Sequence, residues 1–321
     1  MYNSGIVGGT DLELLVNSVL EKREALMKNG EETTIVDFQS KRRQLIGQGY
    51  CVLEDMLGLE TLEKTRKVAL NAVHKLSDEQ LAAYRAPGTL INSKAEPGLA
   101  DCIGNPKALA ALGAMGFGSS KFWKAVIISK PGPSPRLYWH QDLIFWDDPR
   151  AYSDCSPQIF LMYYLDDTSR ENGCLRVLPG THRQWHHLHT LGEAHTKEIN
   201  RMENENDPRF LDFPDEMDVP IKAGDLVIGD ARMFHATHAN STDQYRTVIT
   251  VWLFPLFEGL QKTTQSWVHE EFHKDHAEWP MDALEKIKPL IPNYTGTAQK
   301  YGFNRQPERS RFGQASSPNC D

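Results

Sequence analysis

The stretch Tyr138-Trp-His-Gln-Asp-Leu143 decides the fold, and the rest of the chain is interpreted outward from it. It contains an HxD pair, His140 and Asp142, within a segment typical of a β-strand. Residues i and i+2 of a strand point to the same face, so both side chains can reach one metal ion while Gln141 points away. An HxD pair alone is a weak signal, and its meaning depends on the residues further along the chain.

The second decisive stretch is Phe234-His-Ala-Thr-His-Ala-Asn240, which lies just beyond an apolar predicted strand. His235 supplies a third ligand, with His238 as the alternative. Two imidazoles and one carboxylate make the facial triad of non-haem Fe(II) oxygenases, which leaves three coordination positions open. Arg246 follows at the head of another predicted strand, where it can bind the far end of a dicarboxylate co-substrate. The two stretches together predict a mononuclear iron site.

A rival metal site lies further along the chain. His269-Glu-Glu-Phe-His273 matches the HExxH pattern, in which two histidines one helical turn apart bind zinc and the Glu acts as a base. This predicts a zinc metalloprotease as an alternative function. Against it, the segment is acidic and mostly polar, whereas a catalytic zinc helix is buried on one face. His273-Lys-Asp275 is a second HxD pair, but it is not followed by a comparable series of an apolar strand, a histidine and an arginine at the head of another strand.

A third alternative is a catalytically silent jelly-roll binding protein. The complete triad and Arg246 argue against it, because buried charges without a ligand are costly.

Two further blocks lie between the metal-binding stretches: Ser169-Arg-Glu-Asn-Gly-Cys-Leu175 and Val177-Leu-Pro-Gly-Thr-His182. With all these blocks in this order, the chain resembles the phytanoyl-CoA dioxygenase family of 2-oxoglutarate-dependent oxygenases across residues 37 to 255. The resemblance implies an iron site with three ligands, His140, Asp142 and His235. It also implies that Arg246 and Thr237 bind the distal carboxylate of 2-oxoglutarate, with Gln141 near the co-substrate.

The activity that the resemblance implies uses Fe(II), 2-oxoglutarate and O2. Oxidative decarboxylation yields succinate and CO2, while a C–H bond of a small-molecule substrate, in secondary metabolism for example, is oxidised. Related halogenases have Ala or Gly in place of Asp142 so that chloride can bind, and a carboxylate at this position therefore favours hydroxylation. Desaturation, epoxidation and ring closure are the alternatives, because the same iron chemistry performs them.

Composition excludes other classes of function. The 321 residues carry a net charge of −8 with a pI near 5.9. No basic tract occurs, so neither nucleic acid nor an anionic membrane is expected as a partner. No stretch approaches the ~18 apolar residues of a membrane span, and the first residues do not match a signal peptide. Five scattered cysteines without a CxxC motif predict reduced thiols in a cytoplasmic protein.

The pattern of secondary structure predicts a mainly β fold with flanking helices. Several short strands follow one another from Phe122 onward, with turns and no helices between them. A double-stranded β-helix, the cupin-like jelly roll, satisfies this pattern and brings the two metal-binding stretches together. Asn172-Gly173 predicts a hairpin turn that joins strands at 159–165 and 175–178, because both residues tolerate positive φ.

The predicted organisation has three parts: an N-terminal helical extension at 1–36, a jelly-roll domain at 37–260, and a C-terminal helical segment and tail at 261–321. The amphipathic helix expected at 10–28 provides a surface for packing or for a homodimer. Within the jelly roll, the polar insertion 183–219 is long enough to be functional, and we expect it to form a lid over the site. The tail is rich in Gly, Ser and Asn, and is expected to be poorly ordered.

Two groups of residues are candidates for the substrate pocket. Four aromatic residues flank the HxD pair and form either an apolar wall or ordinary core: Tyr138, Trp139, Phe145 and Trp146. Three arginines near the motif strands bind either a substrate anion or neighbouring carboxylates: Arg136, Arg176 and Arg232. A histidine cluster, His186, His187 and His189, is a weak second metal site, because adjacent histidines cannot both face one ion from a regular strand.

Overall fold

The computed structural model describes residues 36–82, 85–300 and 302–313, so the helix expected at 10–28 lies outside the described residues. The strands are β1 (Tyr50–Leu53), β2 (Thr89–Asn92), β3 (Lys121–Lys130), β4 (Leu137–His140), β5 (Ile159–Tyr164), β6 (Leu175–Val177), β7 (Met217–Val219), β8 (Leu226–Asp230), β9 (His235–Thr237) and β10 (Arg246–Phe254). The helices are α1 (Phe38–Gln48), α2 (Leu59–His74), α3 (Asp78–Ala82), α4 (Ala100–Ile103), α5 (Pro106–Ala114), α6 (Lys197–Asn200), α7 (Lys262–His276) and α8 (Met281–Lys286).

The strands form two antiparallel sheets. The larger sheet has the order β1-β8-β5-β10-β3-β2, and the smaller has the order β4-β9-β6-β7. Side chains from both sheets meet in one apolar cluster, to which Tyr164 and Val248 of the larger sheet and Leu175 and Val177 of the smaller sheet contribute. Two facing antiparallel sheets with helices outside them are the predicted jelly roll, and the fold prediction is confirmed.

Strand β10 shows how one strand serves both faces of the larger sheet. Its residues alternate between the two faces: Val248 faces the smaller sheet, whereas Ile249 and Val251 join an apolar cluster that includes residues of α2 and α8. Fully burying a valine or isoleucine contributes about 1.5–3 kcal/mol, so this alternation fixes the register of the strand. Arg246 has the same parity as Val248 and therefore faces the space between the sheets.

The predicted hairpin at Asn172-Gly173 is wrong. Strand β5 lies in the larger sheet between β10 and β8, whereas β6 lies in the smaller sheet between β9 and β7. Gly173 does have a positive φ of 90°, as the turn signal required, and a Cβ here would lie 3.0 Å from the His238 carbonyl oxygen. The turn therefore carries the chain from one sheet to the other instead of reversing it within one sheet.

The last described segment, residues 302–313, packs against the domain, contrary to the expectation of a poorly ordered tail. The backbone of Asn304 is held on both sides: its N–H donates to the Ile144 carbonyl at 3.0 Å, and its carbonyl accepts from Trp146 N–H at 2.9 Å. Further along, the Phe312 ring packs 5.8 Å from the Trp146 ring. We call residues 302–313 the C-terminal strap. The domain boundaries given above stay a prediction.

The cysteines in the described part of the chain are of two kinds. Cys51, Cys102 and Cys174 are free and buried, and burial raises the pKa of the Cys51 thiol to about 12. Cys155 is disulfide-bonded, so the prediction that all five cysteines are reduced thiols is wrong at this position.

Of the helices that the structure describes, none is long and apolar enough to cross a membrane.

Candidate iron and 2-oxoglutarate site

Strands β4 and β9 bring the two metal-binding stretches together. They pair antiparallel, with His140 directly opposite His235. His140 Nε2 lies 3.5 Å from Asp142 Oδ1, and His235 Nε2 lies 3.7 Å from Asp142 Oδ2. All three side chains are buried, and their three ligand atoms lie within 4.8 Å of one another. Atoms at this separation can surround a single metal ion.

Both histidines are oriented through their other ring nitrogen. His140 Nδ1 lies 3.0 Å from the Tyr138 carbonyl oxygen, and His235 Nδ1 lies 3.1 Å from that of Met233. A proton on Nδ1 leaves Nε2 with a free lone pair aimed at the centre, as a metal ligand requires. Burial, together with the charge of His235, holds the pKa of His140 well below its usual value, so this ring is neutral at pH 7.

Asp142 is positioned by two other parts of the fold. Strand β4 ends at His140, so Asp142 lies just beyond the strand, where its N–H donates to the Ala231 carbonyl at 2.8 Å. Trp252 Nε1 donates to Asp142 Oδ2 at 2.8 Å. Burial alone raises the pKa of Asp142. The neighbouring histidines lower this pKa by more than burial raises it, so the net shift is downward. The carboxylate therefore stays ionised and fixed in direction.

A second group of buried polar side chains faces the same interior. Thr237 lies opposite Leu175 on the neighbouring strand, and paired residues share a face, so both point into the cluster between the sheets. Thr237 Oγ1, Thr250 Oγ1 and Arg246 Nε are buried without a hydrogen-bond partner among the described residues. Buried polar groups are normally satisfied, so these three atoms indicate a missing polar ligand.

Lys130 is a residue of this region that sequence reasoning missed. It lies directly opposite Arg246 in the pairing of β3 with β10, and it is fully buried. Burial, and then the charge of Arg246, holds the pKa of Lys130 well below its usual value. Its ammonium donates to the Ala86 carbonyl at 2.7 Å, and no ion pair to it occurs in the described ranges. Two adjacent buried cations fit a carboxylate.

A small cavity of about 30 Å³ adjoins the metal ligands. Gln141 lines it together with His140, and the Gln141 amide lies 3.2 Å from His189 Nε2. Residues of the insertion also line it, including Leu188 and His195, and the lid stays a prediction. Since Arg305, Gln306 and Pro307 line it as well, the C-terminal strap closes the same opening.

His195 and Arg305 are further site residues that sequence reasoning missed. The His195 ring lies 5.1 Å from the His140 ring, and its Nδ1 lies 3.2 Å from the Tyr138 hydroxyl. Burial, and then Arg305, lowers the pKa of His195 to about 4, so the ring is neutral at pH 7. No motif surrounds either residue, and only the three-dimensional fold brings them to the site.

The competing histidines have other partners. His238 Nε2 lies 2.5 Å from Asp218 Oδ1, in a cluster with Cys174 that is separate from the three predicted ligands. His269 and His273 lie on helix α7 with their rings 4.4 Å apart, and His269 Nδ1 contacts the Pro292 carbonyl oxygen at 3.1 Å. Within the described ranges, no third metal-binding side chain joins the HExxH pair.

The candidate substrate residues are mostly committed to the fold. The four aromatic side chains are buried in core clusters: Tyr138, Trp139, Phe145 and Trp146. Arg136 pairs with Asp212 at 2.5 Å. Arg176 and Arg232 are fully buried and pair with Asp212 at 2.7 Å and Asp230 at 2.6 Å, respectively. Each of the three arginines therefore already has a carboxylate partner within the protein.

Comparison with known proteins bears on the same region. The model of the phytanoyl-CoA dioxygenase family matches residues 47–248, which include both metal-binding stretches and Arg246. The chain belongs to this family. Membership confirms the predicted family, which comprises Fe(II)- and 2-oxoglutarate-dependent oxygenases that use O2. The roles of individual residues in this family member stay a prediction.

The relatives are distant. Phytanoyl-CoA dioxygenase 1 of Oryza sativa subsp. japonica is 24% identical over 145 residues, 45% of this chain and 48% of the rice protein. A probable alpha-ketoglutarate-dependent hypophosphite dioxygenase of Stutzerimonas stutzeri is 24% identical over 159 residues, 46% of this chain and 54% of that protein. The chain thus spans about half the length of the curated relatives it matches.

A solved structure supports the fold. The non-haem alpha-ketoglutarate-dependent epimerase SnoN from nogalamycin biosynthesis matches with a TM-score of 0.53 and 16% identity. The match covers 68% of this chain and 82% of SnoN. At this level of identity the likeness establishes the jelly-roll fold and nothing about the reaction.

Proposed function

We propose that His140, Asp142 and His235 bind Fe(II), and that Arg246 and Thr237 bind 2-oxoglutarate. The enzyme then oxidises an unactivated C–H bond of a small molecule, most simply by hydroxylation, and releases succinate and CO2. The observation that carries this proposal is the convergence of three ligand atoms within 4.8 Å, in a family of Fe(II)- and 2-oxoglutarate-dependent oxygenases. When bound, iron and the 2-oxo acid supply the activation of O2.

The chain's own residues bind and orient the co-substrate. A carboxylate between the sheets would accept hydrogen bonds from Arg246 and Thr237, whose buried donors otherwise have no partner. It would also compensate the charges of Arg246 and Lys130, which are costly to bury side by side. Gln141 lines the cavity beside His140, and the expectation that it lies near the co-substrate is part of this proposal. The insertion and the C-terminal strap exclude water from the reacting atoms.

Asp142 favours hydroxylation over halogenation because it is available as the third protein ligand. Trp252 holds its carboxylate and the Ala231 carbonyl holds its backbone N–H, so a halide would have to displace a fixed side chain. These contacts add a structural reason to the prediction made from the sequence.

The proposal is tested by anaerobic titration of the metal-free protein with Fe(II) and 2-oxoglutarate. A weak visible metal-to-ligand charge-transfer band should appear and saturate at one iron per chain. The band should be lost in Asp142→Ala. If no band forms and one Zn(II) binds tightly through His269 and His273, the oxygenase proposal fails and the metalloprotease takes its place.

Arg246→Ala should weaken 2-oxoglutarate binding by about ten- to a hundredfold and leave iron binding nearly unchanged. The variant removes a charge-assisted contact worth about 1.5–3 kcal/mol. The dissociation constant of 2-oxoglutarate, taken from the same anaerobic band, measures the effect. Arg183→Ala is the matched control, because Arg183 forms an exposed ion pair with Asp154. Equal affinities in Arg246→Ala and Arg183→Ala would remove Arg246 from the co-substrate site.

Trp252→Phe should weaken Fe(II) binding by about ten- to a hundredfold, because it removes the hydrogen bond that orients Asp142. The aromatic volume is largely kept, so the fold should persist. Equilibrium dialysis of Fe(II) measures the effect directly. Trp279→Phe is the control: its indole donates to the Lys94 carbonyl, away from the metal ligands. Unchanged iron affinity in Trp252→Phe would show that Asp142 is held well enough by the backbone alone.

A further inference from the structure

Lys124 is a cation on the iron side of the jelly roll that the proposed iron and co-substrate binding does not use. It lies on β3 directly opposite Trp252, the residue whose indole donates to Asp142. Lys124 and Ile128 are four residues apart on β3, so their side chains point to the same face of the sheet. Ile128 packs against the apolar cluster between the sheets, and Lys124 therefore lies on the interior face. Its ammonium lies 4.4 Å from the Trp123 ring centroid and 5.5 Å from that of Trp252. In the described ranges, no hydrogen bond or ion pair to this ammonium occurs.

Arg305 approaches the same place from the C-terminal strap. It lines the cavity that also contains His140. Its contact with a carboxylate is long, 3.7 Å from Nε to Glu193 Oε1, and its side chain is only 23% exposed. Lys124 lies over the Trp252 ring, which contacts Asp142, and Arg305 lines the cavity beside His140, so both cations lie next to the proposed metal ligands. The pKa of Lys124, which burial lowers and the charge of Arg305 lowers further, agrees with this placement.

The carboxylates near Lys124 have other partners or do not bond to its ammonium. Burial and Arg305 lower the pKa of Lys124, whereas Asp142, Asp275 and Glu271 raise it. Asp142 is the proposed metal ligand, so its charge is shared with iron. Glu271 already pairs with Lys274 at 3.3 Å and with Lys300 at 3.2 Å. Asp275 is the remaining carboxylate near Lys124, and no hydrogen bond or ion pair joins the two side chains in the described ranges. Apart from the long contact between Arg305 and Glu193, neither cation is bonded to a carboxylate, so an anion that reaches both would be stabilised.

This anion is not the distal carboxylate of 2-oxoglutarate. Trp252 lies six residues after Arg246 on the same strand, 246 to 252, so Lys124 and Arg246 are separated by about 20 Å along the sheet. A single five-carbon dicarboxylate held by Arg246 and iron cannot place its distal carboxylate against Lys124.

We propose that Lys124 and Arg305 bind an anionic oxygen group of the substrate, a carboxylate or a phosphate monoester. The group enters between β3 and the C-terminal strap, and it holds the carbon to be oxidised over the iron site. Lys124 and Arg305 are therefore specificity-determining residues, and the strap completes the substrate pocket. This inference rests on the proposed function and adds the class of its substrate.

The test uses the whole protein loaded anaerobically with Fe(II) and 2-oxoglutarate. The probes are matched pairs with one carbon skeleton: alkyl carboxylates with their primary amides, and alkyl phosphates with their alcohols. Binding is measured from the shift of the visible band. At least one anionic probe should bind the wild type about ten- to a hundredfold more tightly than its neutral partner. Which pair shows the preference distinguishes a carboxylate substrate from a phosphate substrate.

The variants decide whether these two residues are responsible. Lys124→Met and Arg305→Met should each lose the preference, while Lys124→Arg should keep it. Lys121→Met and Arg309→Met are the matched controls, because Lys121 lies on the same strand with its ammonium on the Pro289 carbonyl and Arg309 is an exposed residue of the strap. The controls should bind like the wild type.

Three outcomes overturn the inference. In the first, no anionic probe binds the wild type more tightly than its neutral partner. In the second, the preference for the anion survives in the double variant Lys124→Met/Arg305→Met. In the third, that double variant binds 2-oxoglutarate about tenfold more weakly than the wild type. The last would assign the cations to the co-substrate. Failure of the proposed function itself is distinguishable, because the iron and 2-oxoglutarate band would then be absent before any probe is added.

Discussion

His235→Ala should abolish 2-oxoglutarate turnover, to below about one thousandth of the wild-type rate, while the protein stays folded. Loss of one ligand from a site with only three leaves the iron weakly bound and misdirected, and catalytic metal sites depend on both. Succinate formation under saturating Fe(II) and 2-oxoglutarate measures the loss. His140→Ala and Asp142→Ala should behave in the same way.

His238→Ala is the matched control, since it removes a histidine from the same stretch of chain. Its imidazole pairs with Asp218 at 2.5 Å and is not among the converging ligand atoms. The variant should retain most of its turnover. An active His235→Ala with an inactive His238→Ala would reverse the assignment of the third ligand.

Arg232→Met should destabilise the fold by about 3–5 kcal/mol, because it leaves the Asp230 carboxylate buried without its cation. The guanidinium donates to both Asp230 oxygens, at 2.9 and 2.6 Å, and to the Ser153 carbonyl at 2.6 Å. Burial alone raises the pKa of Asp230, but Arg232 more than offsets this, and the net shift is downward. Urea unfolding followed by circular dichroism measures the change in the free energy of unfolding.

Arg183→Met is the control for stability. Its partner Asp154 is exposed, and surface pairs contribute at most about 1 kcal/mol. Equal losses in the two variants would mean that burial does not strengthen the dependence on Arg232. The pair of Arg232 and Asp230 also affects the site indirectly, because the Ala231 carbonyl between them holds the N–H of Asp142.

The sequence by itself determined the local chemistry. The spacing of the HxD pair, the strand that begins at Arg246 and the apolar alternation of the other strands were all readable, because they depend on neighbours in the chain. The family resemblance added the jelly roll, and both the family and the fold are confirmed. The convergence of His140 and His235 was predictable only through that fold, since nothing in the residues between them sets a distance.

Other features required the tertiary structure. The Asn172-Gly173 turn has the local conformation that its residues predict, yet which strands pair was decided by packing between the two sheets. Lys124 and Arg305 lie outside any motif and far apart in the chain, and only the packing of the C-terminal strap against the domain brings both cations beside the proposed metal ligands. Sequence patterns report interactions over a few residues, whereas burial and electrostatics depend on whatever the folded chain brings near.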